Sequence, residues 1–429
     1  MDKRRLVHVA ILGAVPFVMV LGNSMLIPVF PQLKKAMDLT QFQVGLLITV
    51  FSIPAAVVIP MAGILSDYVG RRKVIGPAMA VYGLGGLIAG GASVLLDQPY
   101  GVVLAGRIVQ GVGAGGTYLL AVALAGDLFT DSGRTKVLGI LEAANGVGKV
   151  ISPVLGAAVA LIVWWAPFFV YGVLALPVAF LVWLFIDEPP IEQGRGLKGY
   201  GKALARIFKQ RGVSLATTYL VGMIALFLLF GVLSFLSDEL EQRYDIRGFA
   251  SGLVLAVPVA AMAITAYLAG MYFQKRMPML KPAILTSAGV AAVSLGAAAL
   301  LTDLAAFMTA LSFLGVAIGA MLPAVNMLVT SAAGQEERGI VTSLYGAVRF
   351  TGVAVGPPAF ALALAAGRDV MLGAAAGCAA LALLLSWWLV KPDELLVEAG
   401  GGGDGQRGGP KGREREGSPA SWRELEGES

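Results

Sequence analysis

The chain has 429 residues, of which 57% are hydrophobic and only 14% are charged. Soluble domains carry roughly 25% charged residues, so a soluble fold could not hide this much apolar surface. A single cysteine, Cys378, excludes an intrachain disulfide, and with His8 as the one histidine no His/Cys metal cluster can be built. The composition predicts a membrane protein that holds neither a metal nor a cofactor.

Apolar stretches of membrane-spanning length recur along the chain, since about 20 helical residues cross the hydrocarbon core. The first stretch continues to about Phe30, which is longer than the apolar core of a signal peptide, so we interpret it as a retained helix. Twelve spans are predicted, at residues 6–30, 41–65, 74–96, 100–127, 137–161, 166–186, 212–237, 249–272, 282–301, 304–332, 339–364 and 370–390.

These spans predict an all-α integral membrane fold, with twelve transmembrane helices in two pseudo-symmetric six-helix bundles. The bundles cover residues 1–186 and 212–391, and a polar cytoplasmic linker at 187–211 joins them, with a short amphipathic helix near 201–210. Residues 392–429 form a C-terminal segment rich in Gly, Glu and Arg. Because it has few apolar side chains to bury, we predict a disordered cytoplasmic tail.

Basic residues in the loops predict the orientation of the chain, because cytoplasmic loops carry an excess of Lys and Arg. If the spans alternate in direction, the side that holds the N-terminus collects eighteen loop cations and the other side collects five. We therefore expect both termini in the cytoplasm. The net charge of +5 reflects this topology and does not indicate a nucleic-acid partner.

The two halves share an internal repeat, which is typical of transporters that move two halves about a central site. The fourth and tenth spans both carry Gly-Val-x-x-Gly, at Gly111–Gly115 and Gly315–Gly319. Chance similarity between glycine-rich helices is the alternative, but it does not explain a cation at the same register. The matching positions in the fifth and eleventh spans are Gly146 and Gly346, Lys149 and Arg349, and Gly156 and Gly356.

The loop after the second span reads Gly63-Ile-Leu-Ser-Asp67-Tyr-Val-Gly70-Arg71-Arg72-Lys73. It resembles the loop signature of the major facilitator superfamily, Gly-x-x-x-Asp-x-x-Gly-Arg-Arg/Lys. The resemblance implies a gating role for Asp67 through charge contacts with neighbouring helix ends, with Asp127 and Arg134 as partners. The alternative is that the loop is only a helix cap and a topology signal.

The fourth span carries Arg107 within its apolar run, in a segment that resembles a second motif of the same superfamily. A cation near the bilayer centre costs at least about 2.5 kcal/mol on insertion scales, so it must face protein, water or ligand. We predict a functional role in the substrate cavity. An arginine that extends outward to the interface or binds backbone carbonyls is the alternative.

The fifth span contains a Gly-x-x-x-Ser-Pro-x-x-Gly core that resembles the motif of superfamily members that work as antiporters. The family form has Gly before Pro, where this chain has Ser152. The polar and small residues share one helix face, which suits close packing at an interface between the halves. The predicted packing residues are Gly148, Ser152, Pro153 and Gly156.

Charges within the spans favour an anionic or zwitterionic amphiphile, or a phosphate-bearing lipid headgroup, over a lipophilic cation. Three cations lie inside spans but only one clear carboxylate, Glu142. We expect Glu142 and Lys149 to carry proton coupling, because burial strongly alters the proton affinity of such groups; a purely structural Glu142, paired with Lys149 or a loop cation, is the alternative. The predicted coupling and cavity residues are Glu142, Lys149, Arg107, Arg349, Asn23, Asn145, Tyr345 and Asn326.

The motif set is most similar to the twelve-helix drug:proton antiporters. This resemblance implies a monomeric secondary transporter in the cell membrane that exports small amphipathic molecules by alternating access, coupled to protons. A lipid or glycolipid flippase, a nutrient symporter and a non-transporting receptor or scaffold are the alternatives. An enzyme or an ATP-driven pump is not expected, because the chain has no Gly-x-x-x-x-Gly-Lys-Ser/Thr nucleotide loop.

Overall fold

The computed structural model describes residues 3–129, 133–188, 197–334 and 337–396. Helices dominate this part of the chain, and no strand occurs in it. Residues 189–196 of the predicted linker and residues 397–429 of the predicted tail lie outside the described residues. A short helix at Pro392–Leu395 is the last described element.

Twelve helical segments of the described chain are long and apolar enough to cross a membrane, as predicted. Their surface carries large apolar side chains in contact with the surroundings, among them Trp388 at 74% exposure and Phe180 at 63%. Lipid can cover such side chains, whereas water cannot. The spans are Arg4–Met37, Gln41–Val69, Arg71–Leu95, Tyr100–Leu128, Arg134–Ala160, Ala166–Phe185, Ala205–Gln242, Gly248–Phe273, Met277–Leu300, Leu304–Ser331, Arg338–Leu364 and Arg368–Leu389.

Two spans are interrupted near their middle or end, which the sequence analysis did not predict. The first consists of a helix at Lys3–Ser24, a 3₁₀ turn at Ile27–Val29 and a second helix at Phe30–Met37. Prolines in this region lack the N–H group that a continuous α-helix needs. The fourth span breaks between the helices Tyr100–Gly115 and Tyr118–Leu128.

The seventh span differs from its prediction in the opposite way. The structure has one continuous helix at Leu197–Gln242, where the sequence analysis placed a separate amphipathic helix at 201–210 and a span at 212–237. Residues 201–242 contain no proline, and Gly212 alone does not stop a helix, so nothing in the chain interrupts the backbone hydrogen bonds.

The helices form two six-helix bundles whose packing repeats at an offset of six spans. In the first half, span 1 packs on spans 5 and 6, span 2 on span 4, and span 3 on spans 4 and 6. In the second half, span 7 packs on spans 11 and 12, span 8 on span 10, and span 9 on spans 10 and 12. Between the halves, span 2 packs on span 11 and span 5 packs on span 8, which is again a symmetric arrangement.

Equivalent glycines occupy equivalent close approaches in the two halves. A Cβ atom on Gly111 would lie 2.1 Å from the carbonyl oxygen of Phe51, and one on Gly315 would lie 2.2 Å from that of Pro258. Real side chains cannot occupy such distances, so both positions require glycine where spans 4 and 10 cross spans 2 and 8. The predicted repeat therefore has a structural basis.

The alternating spans give the molecule two ends, here called the terminal face and the far face. The terminal face carries the start of span 1, the turn at residues 69–71 and the ends of spans 4 and 10. The far face carries the loops at residues 37–41, 95–100 and 242–248. These names do not depend on which end lies in the cytoplasm.

Candidate functional site

A cavity lies between the two halves and encloses about 1070 Å³ of non-protein space, including the part that opens to solvent. Spans 1, 2, 4 and 5 line it from the first half, and spans 7, 8, 10 and 11 line it from the second. The break in span 4 places Tyr118 and Leu119 in its wall. A site between two repeats is where transporters of this architecture hold their substrate.

The polar wall of the cavity carries positive charge without a balancing carboxylate. Lys149 from span 5 and Arg349 from span 11 both line it, and these are the two cations that the internal repeat places at one register. Asn23 and Asn145 add amide groups. Within the described residues, neither cation has an Asp or Glu oxygen within 4 Å, and no carboxylate belongs to the lining.

The opposite wall is apolar. Span 7 contributes Leu226, Leu229 and Phe230, and span 8 contributes Leu255 and Val259. These side chains lie in the second half, which also contributes Arg349, while the amides and Lys149 lie in the first half. The lining therefore combines a few polar groups with an extended apolar surface, which suits a ligand with both kinds of surface.

Glu142 lies on span 5 and accepts a hydrogen bond from the hydroxyl of Tyr118. Its side chain is exposed, and no ion pair joins it to Lys149 or to a loop cation in the described part of the chain. Tyr118 lines the cavity, so its ring connects Glu142 with the cavity wall. Sequence reasoning missed Tyr118, although its position directly after Gly115, Gly116 and Thr117 marks a helix break.

Arg107 does not line the cavity, contrary to the prediction, because its side chain is completely buried within the first half. Its guanidinium group donates hydrogen bonds to the carbonyl oxygens of Leu47, at 3.0 Å, and Gly22, at 2.8 Å. It also donates to the side-chain oxygens of Gln110, at 2.6 Å, and Asn23. The carbonyl-binding alternative describes two of these four contacts.

Two further predicted cavity residues lie outside its lining. Tyr345 is buried below Arg349, whose guanidinium carbon lies 5.3 Å from the tyrosine ring centroid. The Tyr345 ring lies 5.5 Å from the ring of Tyr219 of span 7 in a tilted contact, so it packs two helices of the second half together. Asn326 on span 10 is exposed and is absent from the lining.

The charge contacts of the loop between spans 2 and 3 centre on Arg71, whereas the motif implied contacts of Asp67 with Asp127 and Arg134. Gly70 has φ +101°, a conformation that residues with a side chain rarely adopt. The following Arg71 lies between two acids, with nitrogen–oxygen distances of 3.5 Å to Asp67 and 2.5 Å to Asp127. Arg134, the other predicted partner, packs its guanidinium group against Gly126.

Glu188 completes this loop and was missed by the sequence analysis. Its two carboxylate oxygens accept hydrogen bonds from the backbone N–H groups of Arg71, at 2.8 Å, and Arg72, at 2.9 Å. These N–H groups begin span 3, where the helix dipole favours a negative charge. Arg72 also donates to the carbonyl oxygen of Ile186 at 2.9 Å. The only sequence signal was an acidic pair directly after span 6.

Gly63, the first residue of the motif, lies where span 2 meets span 11. A Cβ atom on Gly63 would lie 3.0 Å from the hydroxyl oxygen of Ser343. The two halves therefore touch at this point near the terminal face, and a small residue on span 2 permits the contact.

The motif residues of span 5 do pack closely against neighbouring helices. Two of them, however, contact a helix of their own half, whereas contact with the other half was predicted. A Cβ atom on Gly148 or Gly156 would meet the carbonyl oxygens of Phe17, at 3.3 Å, or Met25, at 2.1 Å. Both belong to span 1 in the same half, because the broken first helix crosses span 5 closely. Contact between the halves is made instead by Pro153, which faces Gly252 of span 8. Ser152 bonds to the carbonyl of Gly148 at 2.5 Å.

A far-face cluster joins the two halves on the other side of the cavity, and sequence reasoning did not find it. Its polar residues on span 7 recur at helical spacing and therefore share one face of the helix. Lys34 bonds to Asp238 at 2.6 Å, Lys35 to Glu241, Ser237 to the carbonyl oxygen of Ile27 at 2.6 Å, and Gln41 to that of Ser234 at 3.3 Å. Thr49 of span 2 also donates to the carbonyl oxygen of Ala354 at 2.6 Å.

These contacts define an α-helical membrane transporter, with twelve spans in two halves and a binding cavity between them. Within the described residues, no group of three or more His, Cys, Asp or Glu side chains is placed to hold a metal ion. The family model of the Major Facilitator Superfamily matches residues 12–357. The chain belongs to this superfamily and is a transporter, not an enzyme.

Relatives and solved structures agree with this assignment. The chain is 39% identical over 381 residues to the Bacillibactin exporter of Bacillus subtilis (strain 168), which covers 88% of this chain and 95% of the relative. It is 26% identical over 366 residues to Multidrug resistance protein 2 of the same organism, covering 83% and 88%. The fold is similar to that of an inward-facing bacterial homologue of the human lysosomal transporter Spinster, with a TM-score of 0.76, 18% identity, and coverage of 93% of this chain and 100% of the other.

Proposed function

We propose that this chain exports an anionic or zwitterionic amphipathic small molecule across the plasma membrane by alternating access, with both termini in the cytoplasm. The observation that carries the proposal is the pair Lys149 and Arg349 in the central cavity, neither of which has a carboxylate oxygen within 4 Å among the described residues. Both side chains are half-buried, and two like charges in such a partly desolvated site repel each other. A bound anion would offset this repulsion.

The apolar wall supports the amphipathic part of the proposal. A ligand whose anionic group faces Lys149 and Arg349 would place its body against Leu229, Phe230 and Val259 on the other side. Burial of apolar surface contributes roughly 25 cal/mol per Å², so this wall supplies affinity while the cations supply selectivity. Ligand pockets commonly combine an apolar lining with few polar groups in this manner.

Similarity to the Bacillibactin exporter supports the direction of transport and gives a first candidate substrate. The match covers 88% of this chain and 95% of the relative. Bacillibactin itself is therefore the first compound to assay, together with simpler anionic amphiphiles.

Proton coupling is the finer part of the proposal, and Glu142 is the carboxylate that we assign to it. Glu142 is exposed and bonded to Tyr118, which reaches the cavity wall. A proton on Glu142 would change the charge beside the cavity that holds Lys149 and Arg349. Proteoliposomes with an internal pH-sensitive dye test this step: substrate-dependent proton release that is lost in Glu142→Gln supports antiport, and unchanged release in that variant contradicts the assignment.

The experiment that tests substrate charge compares two probes of one skeleton, a naphthalene carboxylate and the corresponding naphthalene trimethylammonium. We expect wild-type protein to bind the carboxylate more tightly. Lys149→Gln and Arg349→Gln should each weaken carboxylate binding about tenfold or more, because hydrogen bonds to charged groups contribute roughly 1.5–3 kcal/mol. Titration of purified protein measures both dissociation constants.

Lys136→Gln is the matched control for this experiment. Lys136 is an exposed cation near the start of the same span as Lys149 but outside the cavity lining. Its replacement removes one positive charge from span 5 and should leave both dissociation constants unchanged. A wild-type preference for the ammonium probe, or equal loss of both probes in Lys149→Gln, contradicts the proposed substrate class.

A further inference from the structure

Arg107 is fully buried outside the cavity lining, and four of its five N–H groups donate to protein oxygens, so it does not contact a substrate directly. Its Nε group donates to the Leu47 carbonyl oxygen, one terminal nitrogen donates to the Gly22 carbonyl oxygen and to Gln110, and the other donates to Asn23. The guanidinium carbon also lies 4.5 Å from the ring centroid of Phe51. Any influence of Arg107 on the cavity must therefore act through the residues that it holds.

Asn23 is one of these residues, and it lines the cavity. A guanidinium group can only donate hydrogen bonds, so the atom of Asn23 that faces Arg107 has to be the amide oxygen. The amide NH₂ group then points away, with its nitrogen 3.4 Å from the hydroxyl oxygen of Ser52. The amide oxygen faces Arg107 and one amide N–H donates to Ser52, so the second N–H is the group of Asn23 that is left to face a ligand.

We infer that Asn23, held in one orientation by Arg107, is a specificity-determining residue that makes span 1 a donor surface for the anionic group of the substrate. Arg107 is a positioning residue in this arrangement, and Asn23 is the residue that faces the ligand. The inference rests on the proposed function and adds to it a third donor beside Lys149 and Arg349, contributed by a different span. An amide free to rotate could accept hydrogen bonds from a cationic ligand, and Arg107 excludes that orientation.

Replacement of the Asn23 amide NH₂ group by an oxygen distinguishes a role in substrate specificity from a purely structural role. Asn23→Asp keeps the shape of the side chain and keeps an oxygen for Arg107, so the buried guanidinium group retains its partner. The change converts the N–H donors into a second carboxylate oxygen. The same two naphthalene probes report the result, because a loss of folded protein changes the amount that binds but not the dissociation constant of the folded fraction.

We expect Asn23→Asp to weaken binding of the carboxylate probe about tenfold, the effect of losing a charge-assisted hydrogen bond and adding a like charge. Binding of the trimethylammonium probe should be unchanged or tighter. Ser52→Ala is the control: it removes the other partner of the Asn23 amide without removing a donor from the cavity, so the ratio of the two dissociation constants should be that of wild type.

The two possible failures give different results. A wild-type protein that does not prefer the carboxylate probe overturns the proposed function, and the inference with it. A wild-type protein that prefers the carboxylate, together with an unchanged ratio in Asn23→Asp, overturns only the assignment of Asn23. A ratio that shifts equally in Ser52→Ala also overturns it, because the effect would then not depend on the donor.

Discussion

Lys149 and Arg349 are equivalent residues of the two halves, and they meet in one cavity because spans 5 and 11 are related by the repeat. Arg107 does not line this cavity, because it is fully buried and donates hydrogen bonds to carbonyl and amide oxygens. Intramembrane cations are costly wherever they lie. The local sequence does not indicate which of these cations lines the cavity. Only the tertiary structure shows that Lys149 lines it and that Arg107 is buried inside the first half.

Gly70 gives a prediction at the scale of one residue. Its backbone has φ +101° and ψ 144°, and a Cβ atom there would lie 2.8 Å from the carboxyl carbon of Glu188. We expect Gly70→Ala to lower the free energy of unfolding by about 1–3 kcal/mol, the usual effect of a strained backbone position. Thermal unfolding of the purified protein measures the change.

The control for this prediction is Gly91→Ala in span 3, the helix that follows Gly70. No atom lies within 4 Å of a Cβ built on Gly91, and its backbone is helical. Alanine should be neutral there or stabilise by up to about 1 kcal/mol, because glycine is unfavourable inside helices. If Gly70→Ala unfolded at the same temperature as the wild-type protein, the prediction would be wrong, and Glu188 would be able to move away without loss of stability.

At the scale of an element, span 7 joins the two halves of the molecule, a role that was not predicted from the sequence. Its last turns present Ser234, Ser237, Asp238 and Glu241 to spans 1 and 2 of the other half. The Lys34 and Asp238 side chains are only 20% and 10% exposed, so their ion pair is better shielded from solvent than a surface pair. This cluster fastens the halves at the far face, above the cavity.

The far-face cluster predicts the effect of breaking its ion pair. We expect Asp238→Asn to increase the population of molecules whose far faces are apart, because Lys34 loses its charged partner. The charge exchange Lys34→Asp with Asp238→Lys should restore the closed population. Distances between spin labels at Gln98 and Thr302, in a Cys378→Ala background, measure the two populations by pulsed electron paramagnetic resonance.

Asp245→Asn serves as the control for the element-scale experiment. Asp245 lies on the same face of the molecule and pairs at 2.8 Å with Arg247 of its own half. Its replacement removes a far-face carboxylate without loosening any contact between the halves, so the label distances should match wild type. If the distances lengthened equally in Asp238→Asn and Asp245→Asn, the cause would be a general effect of charge and not the loss of the ion pair between Lys34 and Asp238.

At the scale of the whole molecule, the described polar contacts between the halves lie toward the far face. They include the far-face cluster and the bond from Thr49 to the Ala354 carbonyl oxygen. Near the terminal face, the halves touch where Gly63 meets Ser343, without a described ion pair. The described polar contacts between the halves therefore lie on one side of the cavity, as in one of the two arrangements that alternating access requires.

The excess of basic residues at the terminal face predicts the orientation in the membrane. We expect the N-terminus and the C-terminus both to lie in the cytoplasm, because positively charged loops are retained there. A fluorescent protein that folds only in the cytoplasm should be bright when fused to either end. An alkaline phosphatase fused at residue 98, in a far-face loop, should be active. If the phosphatase were instead inactive at residue 98 and active at the two ends of the chain, the opposite orientation would be indicated.

Some features of this transporter follow from its sequence alone. The twelve spans, the two halves and the loop from Gly63 to Lys73 were predictable, because each depends on local composition, on spacing within one segment or on a repeat within the chain. The positive character of the cavity was predictable in part, since the spans hold more cations than carboxylates. Hydrophobic length and residue inventory do not depend on how the helices are rotated against each other.

Only the tertiary structure decided which charges face the cavity and which residues join the halves. The bond of Glu142 to Tyr118, the amide orientation that Arg107 imposes on Asn23, and the pair of Lys34 with Asp238 link segments that are 24 to 204 positions apart. Such contacts depend on helix rotation, on the breaks in spans 1 and 4, and on close approach at glycines. The physical reason is that a polar group in a membrane takes whichever partner packing brings within reach, and sequence spacing does not specify that partner.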